Sequence, residues 1–170
     1  MARYAYADPP YIGCAGRYVE RQEIDHADLI QNRLSSYDGW ALSCHTQSLR
    51  LLLPICPNDT RVMAWVKPFA VFKPNVNPAY AWEPVLIHGA RKHRNRQEPT
   101  TRDWVAANTT LRKGIVGAKP PEFCYWLFNV LGLLPDDSLD DLFPGTGIVM
   151  HSLDLWRGKT SAQPLQSSFF

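Results

Sequence analysis

The sequence predicts an α/β fold in which a mostly parallel sheet is flanked by helices. Short apolar runs that suit buried strands alternate with segments whose apolar residues recur at helical spacing. This alternation is typical of βαβ units. At 170 residues, with 45% hydrophobic and 20% charged residues, the chain is long enough for one well-cored domain and is unlike a disordered one.

The first half of the chain contains four predicted strands and two predicted helices. The strands cover residues 4–7, 40–44, 61–66 and 81–87. Pro84 interrupts the fourth strand and favours a position at the edge of the sheet or an irregular start. Asp25 is the predicted N-cap of the first helix, and Thr46 is the predicted cap of the second. Prolines close most of these elements.

The second half continues the same pattern. After a short mixed segment that begins at Asp103, the sequence predicts a helix from Glu122 to Leu131, which Gly132 can terminate. A strand at 139–143 and a final helix that starts near Ile148 follow. We therefore expect one domain over residues 1–158 and a polar tail over 159–170.

The charge composition excludes a strongly basic protein that would bind nucleic acid through its overall charge. The net charge is +2, so any contact with nucleic acid must come from a local patch. The one dense basic run contains Arg91, Lys92, Arg94 and Arg96. Two interpretations of it stay open, a solvated loop and a surface that contacts phosphates.

The cysteines and the hydropathy pattern bear on the cellular setting. The four cysteines form no C-x-x-C pair, and no signal peptide or apolar run of about 18 residues is visible. We expect a soluble, cytoplasmic protein with free thiols and no membrane contact. A zinc site from Cys44, His45 and Cys56 has no usual ligand spacing, so these cysteines are expected to be structural and no metal is predicted.

Two short stretches carry the candidate chemistry. Asp8-Pro9-Pro10-Tyr11 ends the first predicted strand. Neither proline has a backbone N–H, so the strand stops there and presents a carboxylate, free carbonyls and an aromatic ring. In an open α/β sheet, ligands bind at the carboxyl ends of strands.

The second stretch runs from Asp141 to Gly147 and places Phe143, Gly145 and Gly147 between a strand and a helix. Two glycines separated by one residue allow a ligand to approach the backbone closely. Alone this spacing is weak, because it also suits an ordinary strand-to-helix turn and lacks the further residues of known nucleotide-binding loops.

Taken together, the two stretches resemble the catalytic and cofactor motifs of S-adenosylmethionine (SAM)-dependent DNA amino-methyltransferases. Their order resembles the circularly permuted class that methylates adenine N6 or cytosine N4. Trp65-Val66-Lys67, Trp82-Glu83-Pro84 and Gly117-Ala118-Lys119-Pro120 match further motifs of that family in the expected order. The resemblance covers roughly residues 4–157 and implies a Rossmann-like sheet of permuted topology, in which the strands that carry the two stretches are expected to be adjacent.

The resemblance implies an activity and a set of site residues. Asp8 and the carbonyl of Pro9 would accept the two N–H bonds of an exocyclic base amine, which makes its lone pair available, and Tyr11 would stack on the base. Asp141, Phe143, Gly145 and Gly147 would contact SAM, and Lys119 is a candidate for the same role. The expected substrate is DNA, with RNA or a small molecule as alternatives, and Trp82 and Trp104 are candidates for the base pocket.

The sequence also departs from the family. The family continues with a strand whose terminal acid holds the ribose of SAM, and residues after 157 predict no such strand. No target-recognition domain is visible either, so a homodimer or a partner subunit would supply recognition. A small enzyme without such a domain would suit a phage or mobile element. The alternative is a catalytically inactive, methyltransferase-like module that binds nucleic acid or a partner subunit.

Overall fold

The computed structural model describes residues 1–17, 23–69, 75–92, 99–109 and 118–162. These residues form one six-stranded sheet with the order β5-β3-β4-β2-β1-β6. The strands are β1 (Arg3–Ala7), β2 (Gly39–Ser43), β3 (Arg61–Val66), β4 (Trp82–His88), β5 (Trp104–Ala106) and β6 (Ser138–Asp141). The predicted α/β class is confirmed, and β6 ends at Asp141, two residues before the predicted end of that strand.

The sheet is mixed, with an antiparallel strand in its interior. β1 runs parallel to β2 and β6, and β3 runs parallel to β5, whereas β4 is antiparallel to both β2 and β3. The edge position expected from Pro84 is therefore wrong. The position of Pro84 that lacks an N–H faces Cys44, the residue just beyond the end of β2, so the proline is tolerated in an inner strand. The Pro84 carbonyl still accepts the Cys44 N–H at 3.1 Å.

Four helical segments cover the two faces of the sheet in the described part of the chain. They are α1 (residues 26–36, with α, π and 3-10 turns), α2 (residues 46–55), α3 (Pro121–Leu131) and α4 (Ile148–Ala162). Helix α4 continues past Gly158, where the sequence predicted the tail to begin, and residues 163–170 lie outside the described residues.

The helix ends test the predicted caps. Asp25 accepts the Asp28 N–H at 3.0 Å, which confirms it as the N-cap of α1. Helix α2 is capped by His45, whose Nδ1 accepts the Gln47 N–H at 3.3 Å, so the prediction of Thr46 was wrong by one residue. Gly132 ends α3 in the left-handed region (φ 69°), as predicted.

Two apolar cores lie on opposite faces of the sheet. One joins the strands to α3 and α4 through buried aromatic rings, including Tyr6, Trp65 and Phe123. The other joins the strands to α1 and α2 through Leu34, Trp40 and other side chains. Strand β1 lies between β2 and β6 with both faces covered, so its carboxyl end is held rigidly where Asp8 begins. Within the described ranges, no helix has the length and apolar character needed to cross a membrane.

Candidate active site

Asp8 to Tyr11 form a fixed corner at the carboxyl end of β1. Residues 4–7 are buried, Pro9 is also buried, and Asp8, Pro10 and Tyr11 are half-buried. The Tyr11 carbonyl accepts the Cys14 N–H at 2.7 Å, which turns the chain away from the sheet. The corner therefore presents the Asp8 carboxylate at the sheet edge, with 26% of its side chain exposed.

The glycine loop begins at the same edge, on the neighbouring strand. Tyr6 lies in register with Asp141 in the parallel pair of β1 and β6, and the Leu142 N–H donates to the Tyr6 carbonyl at 2.9 Å. The two motifs from opposite ends of the sequence are thus adjacent in space, as the sequence predicted. Burial raises the pKa of Asp141 to about 6; the Phe143 N–H lowers it in part, while the charge of Asp8 raises it.

The loop after Asp141 depends on its glycines for backbone conformation. Gly145 and Gly147 have φ values of 47° and 71°, which side chains rarely permit. A Cβ atom at Gly147 would meet nothing within 4 Å, so open space lies beside the backbone there. Phe143 packs against the second core, with the Arg33 guanidinium 5.9 Å from its ring centre. The loop therefore offers an open backbone surface beside a partly buried acid.

A charged cluster of Asp8, Glu83, Lys67 and Lys119 lies behind the corner. Lys119 Nζ is 3.0 Å from Asp8 Oδ2 and 2.6 Å from Glu83 Oε1, and Lys67 Nζ is 2.8 Å from Glu83 Oε2. The side chains of Lys119 and Glu83 are 5% and 8% exposed. Two ammonium groups and two carboxylates compensate one another, as buried charges require.

Burial and the neighbouring charges shift the pKa values of this cluster in different directions. Burial would raise the pKa of Glu83, but the ammonium groups of Lys119 and Lys67 outweigh it and lower that pKa to about 2. Burial would lower the pKa of Lys119, but the carboxylates of Asp8 and Glu83 raise it well above its usual value. The pKa of Asp8 is raised by burial and by Glu83, against the lowering effect of Lys119. Asp8 is thus the member closest to taking up a proton.

Aromatic rings enclose the charged cluster. Lys119 Nζ lies 5.1 Å from the centre of the Trp65 ring and 5.7 Å from that of Phe123, and Lys67 Nζ lies 4.5 Å from Trp65. Both aromatic side chains are fully buried. Cation–π contacts and a dry surrounding fix the position of Lys119, and through it the position of Asp8.

Sequence reasoning missed part of this cluster. Glu83 was noted as part of a strand motif, and Lys119 was assigned to the cofactor, whereas the structure directs its ammonium to two carboxylates. A usable signal was present, because Glu83 interrupts an otherwise apolar strand and a buried acid needs a buried cation. Lys67 and Lys119, each beside a proline at the end of an apolar segment, were the available partners.

Two of the four basic residues in the predicted basic run, Arg91 and Lys92, lie within the described residues. Arg91 Nη2 donates to Asp137 Oδ2 at 2.6 Å, and Arg91 Nε donates to the Gly132 carbonyl at 3.0 Å. Arg91 follows the carboxyl end of antiparallel β4, so it lies at the sheet edge opposite Asp8. Arg91 therefore has structural partners, and its role in nucleic-acid binding stays a prediction; Lys92 is exposed, and Arg94 and Arg96 lie outside the described residues.

The two cysteines considered for zinc have raised pKa values. Burial is the main cause that raises the pKa of Cys44 to about 12, and burial raises that of Cys56 to about 11. Among the described residues, no group of three or more histidine, cysteine or acidic side chains is placed to hold a metal ion.

Comparisons with known proteins find similarity in structure and none in sequence. No protein-family model matches the chain, and no curated protein matches its sequence. The crystal structure of an M1.HpyAVI-SAM complex matches with a TM-score of 0.59 and 13% identity, over 92% of this chain and 79% of that chain. A crystal structure of M1.HpyAVI matches with a TM-score of 0.56 and 13% identity, over 92% and 77%. The chain therefore has the fold of M1.HpyAVI.

Proposed function

We propose that this chain is a SAM-dependent methyltransferase that methylates an exocyclic amine of a nucleobase, adenine N6 in DNA. The observation that carries the proposal is the meeting of two motifs at one sheet edge. The Asp8 corner follows the carboxyl end of β1, and the loop from Asp141 to Gly147 begins at the carboxyl end of the adjacent parallel strand β6. The shared fold with a protein solved as a SAM complex adds independent support.

The residues at the end of β6 fit a cationic cofactor. Bound SAM would supply an electrophilic methyl group on a positively charged sulfur. Asp141 takes part in no ion pair among the described residues, and its pKa is raised mainly by burial. A nearby positive charge would favour its ionised form. Phe143, Gly145 and Gly147 would hold the same ligand through an aromatic face and an open backbone.

The Asp8 corner fits the amine. The Asp8 carboxylate and the Pro9 carbonyl are the acceptors for its two N–H groups, and together they turn the nitrogen lone pair toward the methyl donor. Tyr11, half-buried beside them, would stack on the base with about 1–3 kcal/mol of stabilisation. A base in a duplex must leave the stack to reach this pocket.

The charged cluster would manage the proton that the amine loses. Methyl transfer would break the sulfur–methyl bond of SAM, form the nitrogen–methyl bond and require the nitrogen to release one proton, and Asp8 is the adjacent group with a raised pKa. Lys119 is already protonated and cannot take that proton. We therefore assign Lys119 as a positioning residue, and the exposed part of Asp8 returns the proton to water.

The test compares cofactor binding with methyl transfer. We expect SAM to bind in isothermal titration, and tritiated methyl groups to reach mixed-sequence DNA. Digestion to nucleosides and mass spectrometry then identifies N6-methyladenine or N4-methylcytosine. Asp8→Asn should keep SAM binding and reduce transfer about 100-fold or more, because it removes the charged acceptor.

A matched control is the exposed acid Asp140, which pairs with Arg3 at 3.7 Å. Asp140→Asn changes the same chemical group on β6 and should leave both readouts unchanged. An absence of SAM binding, or full transfer by Asp8→Asn, would refute the enzyme proposal. SAM binding without transfer to DNA, RNA or free nucleosides would favour the inactive, methyltransferase-like module. Recognition by a second copy or a partner subunit stays a prediction.

A further inference from the structure

A row of aromatic rings leads away from the Asp8 corner. The ring centres of Tyr11 and His45 are 6.1 Å apart with 32° between their planes, and those of His45 and Tyr80 are 4.7 Å apart with 53°. His45 is fixed as the cap of α2 through its Nδ1 contact with the Gln47 N–H. The Gln47 side-chain amide in turn donates to the Tyr80 hydroxyl. The row therefore has a defined geometry and starts at the residue expected to stack on the target base.

The far end of this row is open to solvent. The exposed fractions of Tyr80 and Trp82 are 44% and 40%, which are large for aromatic side chains. Both line a groove of about 470 Å³, together with Thr46 and residues 75–79. That volume lies within the range of small-ligand sites and holds a nucleotide-sized group.

The chemistry of the groove suits a nucleobase. Two flat rings provide stacking surfaces, and the side-chain amides of Asn75 and Asn77 provide donors and acceptors for base edges. Among the described residues that line this groove, none carries a carboxylate. The neighbouring depression of about 560 Å³ shares Thr46 and contains Arg50, a cation of the kind that contacts phosphate.

The groove also adjoins the reaction site through the chain itself. Trp82 begins β4 and directly precedes Glu83, whose carboxylate holds Lys119 against Asp8. Thr46 directly follows His45, the ring between Tyr11 and Tyr80. If the target base of a DNA strand lies at Tyr11, the next nucleotide of that DNA strand would pass over His45 toward this groove.

We propose that Tyr80 and Trp82 form a second nucleobase-stacking subsite, which binds the nucleotide next to the methylated base. The inference rests on the proposed function, since it takes that function's target base as its reference point. The subsite holds a base by its face and therefore accepts any of the four bases. It would keep the strand single-stranded beside the target and would hold the target base out of a duplex.

The test measures binding to DNA without SAM and without turnover. The probe is a fluorescein-labelled, mixed-sequence single strand of about twelve nucleotides at low salt, followed by fluorescence anisotropy. Tyr80→Leu and Trp82→Leu should each weaken binding about fivefold or more, as expected for the loss of one base–aromatic stack. Tyr37→Leu makes the same change just before β2, at the opposite sheet edge, and should leave affinity within about twofold.

Two further measurements separate stacking from other effects. An abasic strand of equal length should bind wild type more weakly than the base-containing strand does. The double variant, which combines Tyr80→Leu with Trp82→Leu, should lose most of this preference for bases. Tyr80→Phe keeps the ring and loses the contact with Gln47, so its affinity for DNA should match that of wild type. This expectation holds even if the leucine variants fail to fold.

The proposal is overturned by wild-type affinity in the double variant, by equal losses on the base-containing and abasic strands, or by loss of binding in a folded Tyr80→Phe. Because binding is measured without cofactor, these outcomes are distinct from a failure of methyl transfer.

Discussion

Replacing Lys119 by methionine removes the cation that Asp8 and Glu83 share. Lys119 Nζ lies 3.0 Å from Asp8 and 2.6 Å from Glu83, and its side chain is 5% exposed. Glu83 would keep Lys67 at 2.8 Å, whereas Asp8 has no second ion pair among the described residues. The substitution therefore leaves one partly buried carboxylate without a counter-charge while it preserves much of the side-chain volume.

The expected loss follows from the burial of the pair. Breaking a fully buried ion pair costs about 3–5 kcal/mol of unfolding free energy. The Asp8 side chain is 26% exposed, so water offsets part of this cost, and we expect about 2–3 kcal/mol near neutral pH.

The loss should depend on pH with a definite sign. Without Lys119 the folded-state pKa of Asp8, already raised by burial, rises further above its unfolded value. The folded variant then binds a proton more tightly than the unfolded chain, so its stability falls as pH rises through the folded pKa and returns as pH falls. In the wild type, the pKa of Glu83 is lowered to about 2, so its contribution to stability is lost only below its unfolded pKa and is constant from about pH 5.5 upward. In the variant, Lys67 still pairs with Glu83.

Urea unfolding at about pH 5.5 and about pH 7.5 measures both effects. The deficit of Lys119→Met against wild type should be smaller at the lower pH, and the acid limb of the methyl-transfer profile should move to higher pH. Arg3→Met is the control, because it breaks the exposed pair with Asp140 and should cost below about 1 kcal/mol at both pH values. A deficit that small in Lys119→Met, or one that does not change with pH, would refute the reasoning.

Two further predictions concern Asp141 and Arg91. Because the pKa of Asp141 is raised to about 6, SAM affinity should fall as pH drops below that value, and titration calorimetry of Asp141→Asn should show weak, pH-independent binding while Asp140→Asn keeps the wild-type profile. Arg91→Gln should cost about 2 kcal/mol in urea unfolding because it leaves buried Asp137 without its cation, whereas Lys92→Gln should change stability within about 0.5 kcal/mol. Unchanged DNA affinity in Arg91→Gln would agree with its structural role, and a large loss of affinity would contradict it.

The parts of the site that the sequence predicted are those fixed by local chemistry. Two prolines end β1 whatever surrounds them, so Asp8 could be placed at a strand end from the sequence. Gly145 and Gly147 likewise require a turn between β6 and α4, because their φ values are positive. The adjacency of β1 and β6 came from the family resemblance, and the register of Tyr6 with Asp141 agrees with it.

The parts that were missed depend on strand order. Periodicity indicates that 82–88 is a strand, but it does not say that the strand is antiparallel and inserted between β2 and β3. That insertion brings Glu83 against Lys67 and Lys119. The ion pair of Arg91 was missed for a related reason, since its partner Asp137 is 46 residues away and the run around Arg91 has the composition of a solvated loop.

Asp8 lies between two opposite electrostatic environments, and this position links the two halves of the proposed reaction. Lys119 favours its ionised form, whereas burial and the charge of Glu83 oppose it, and the charge of Asp8 raises the pKa of Asp141. A cationic cofactor beside Asp141 would offset that opposition and leave Asp8 better able to accept the amine N–H. Since such coupling is reciprocal, an amine that donates its N–H to ionised Asp8 would strengthen cofactor binding by the same factor. The positive charge that makes SAM an electrophile would thus also favour the ionised form of Asp8, which accepts the N–H of the substrate amine.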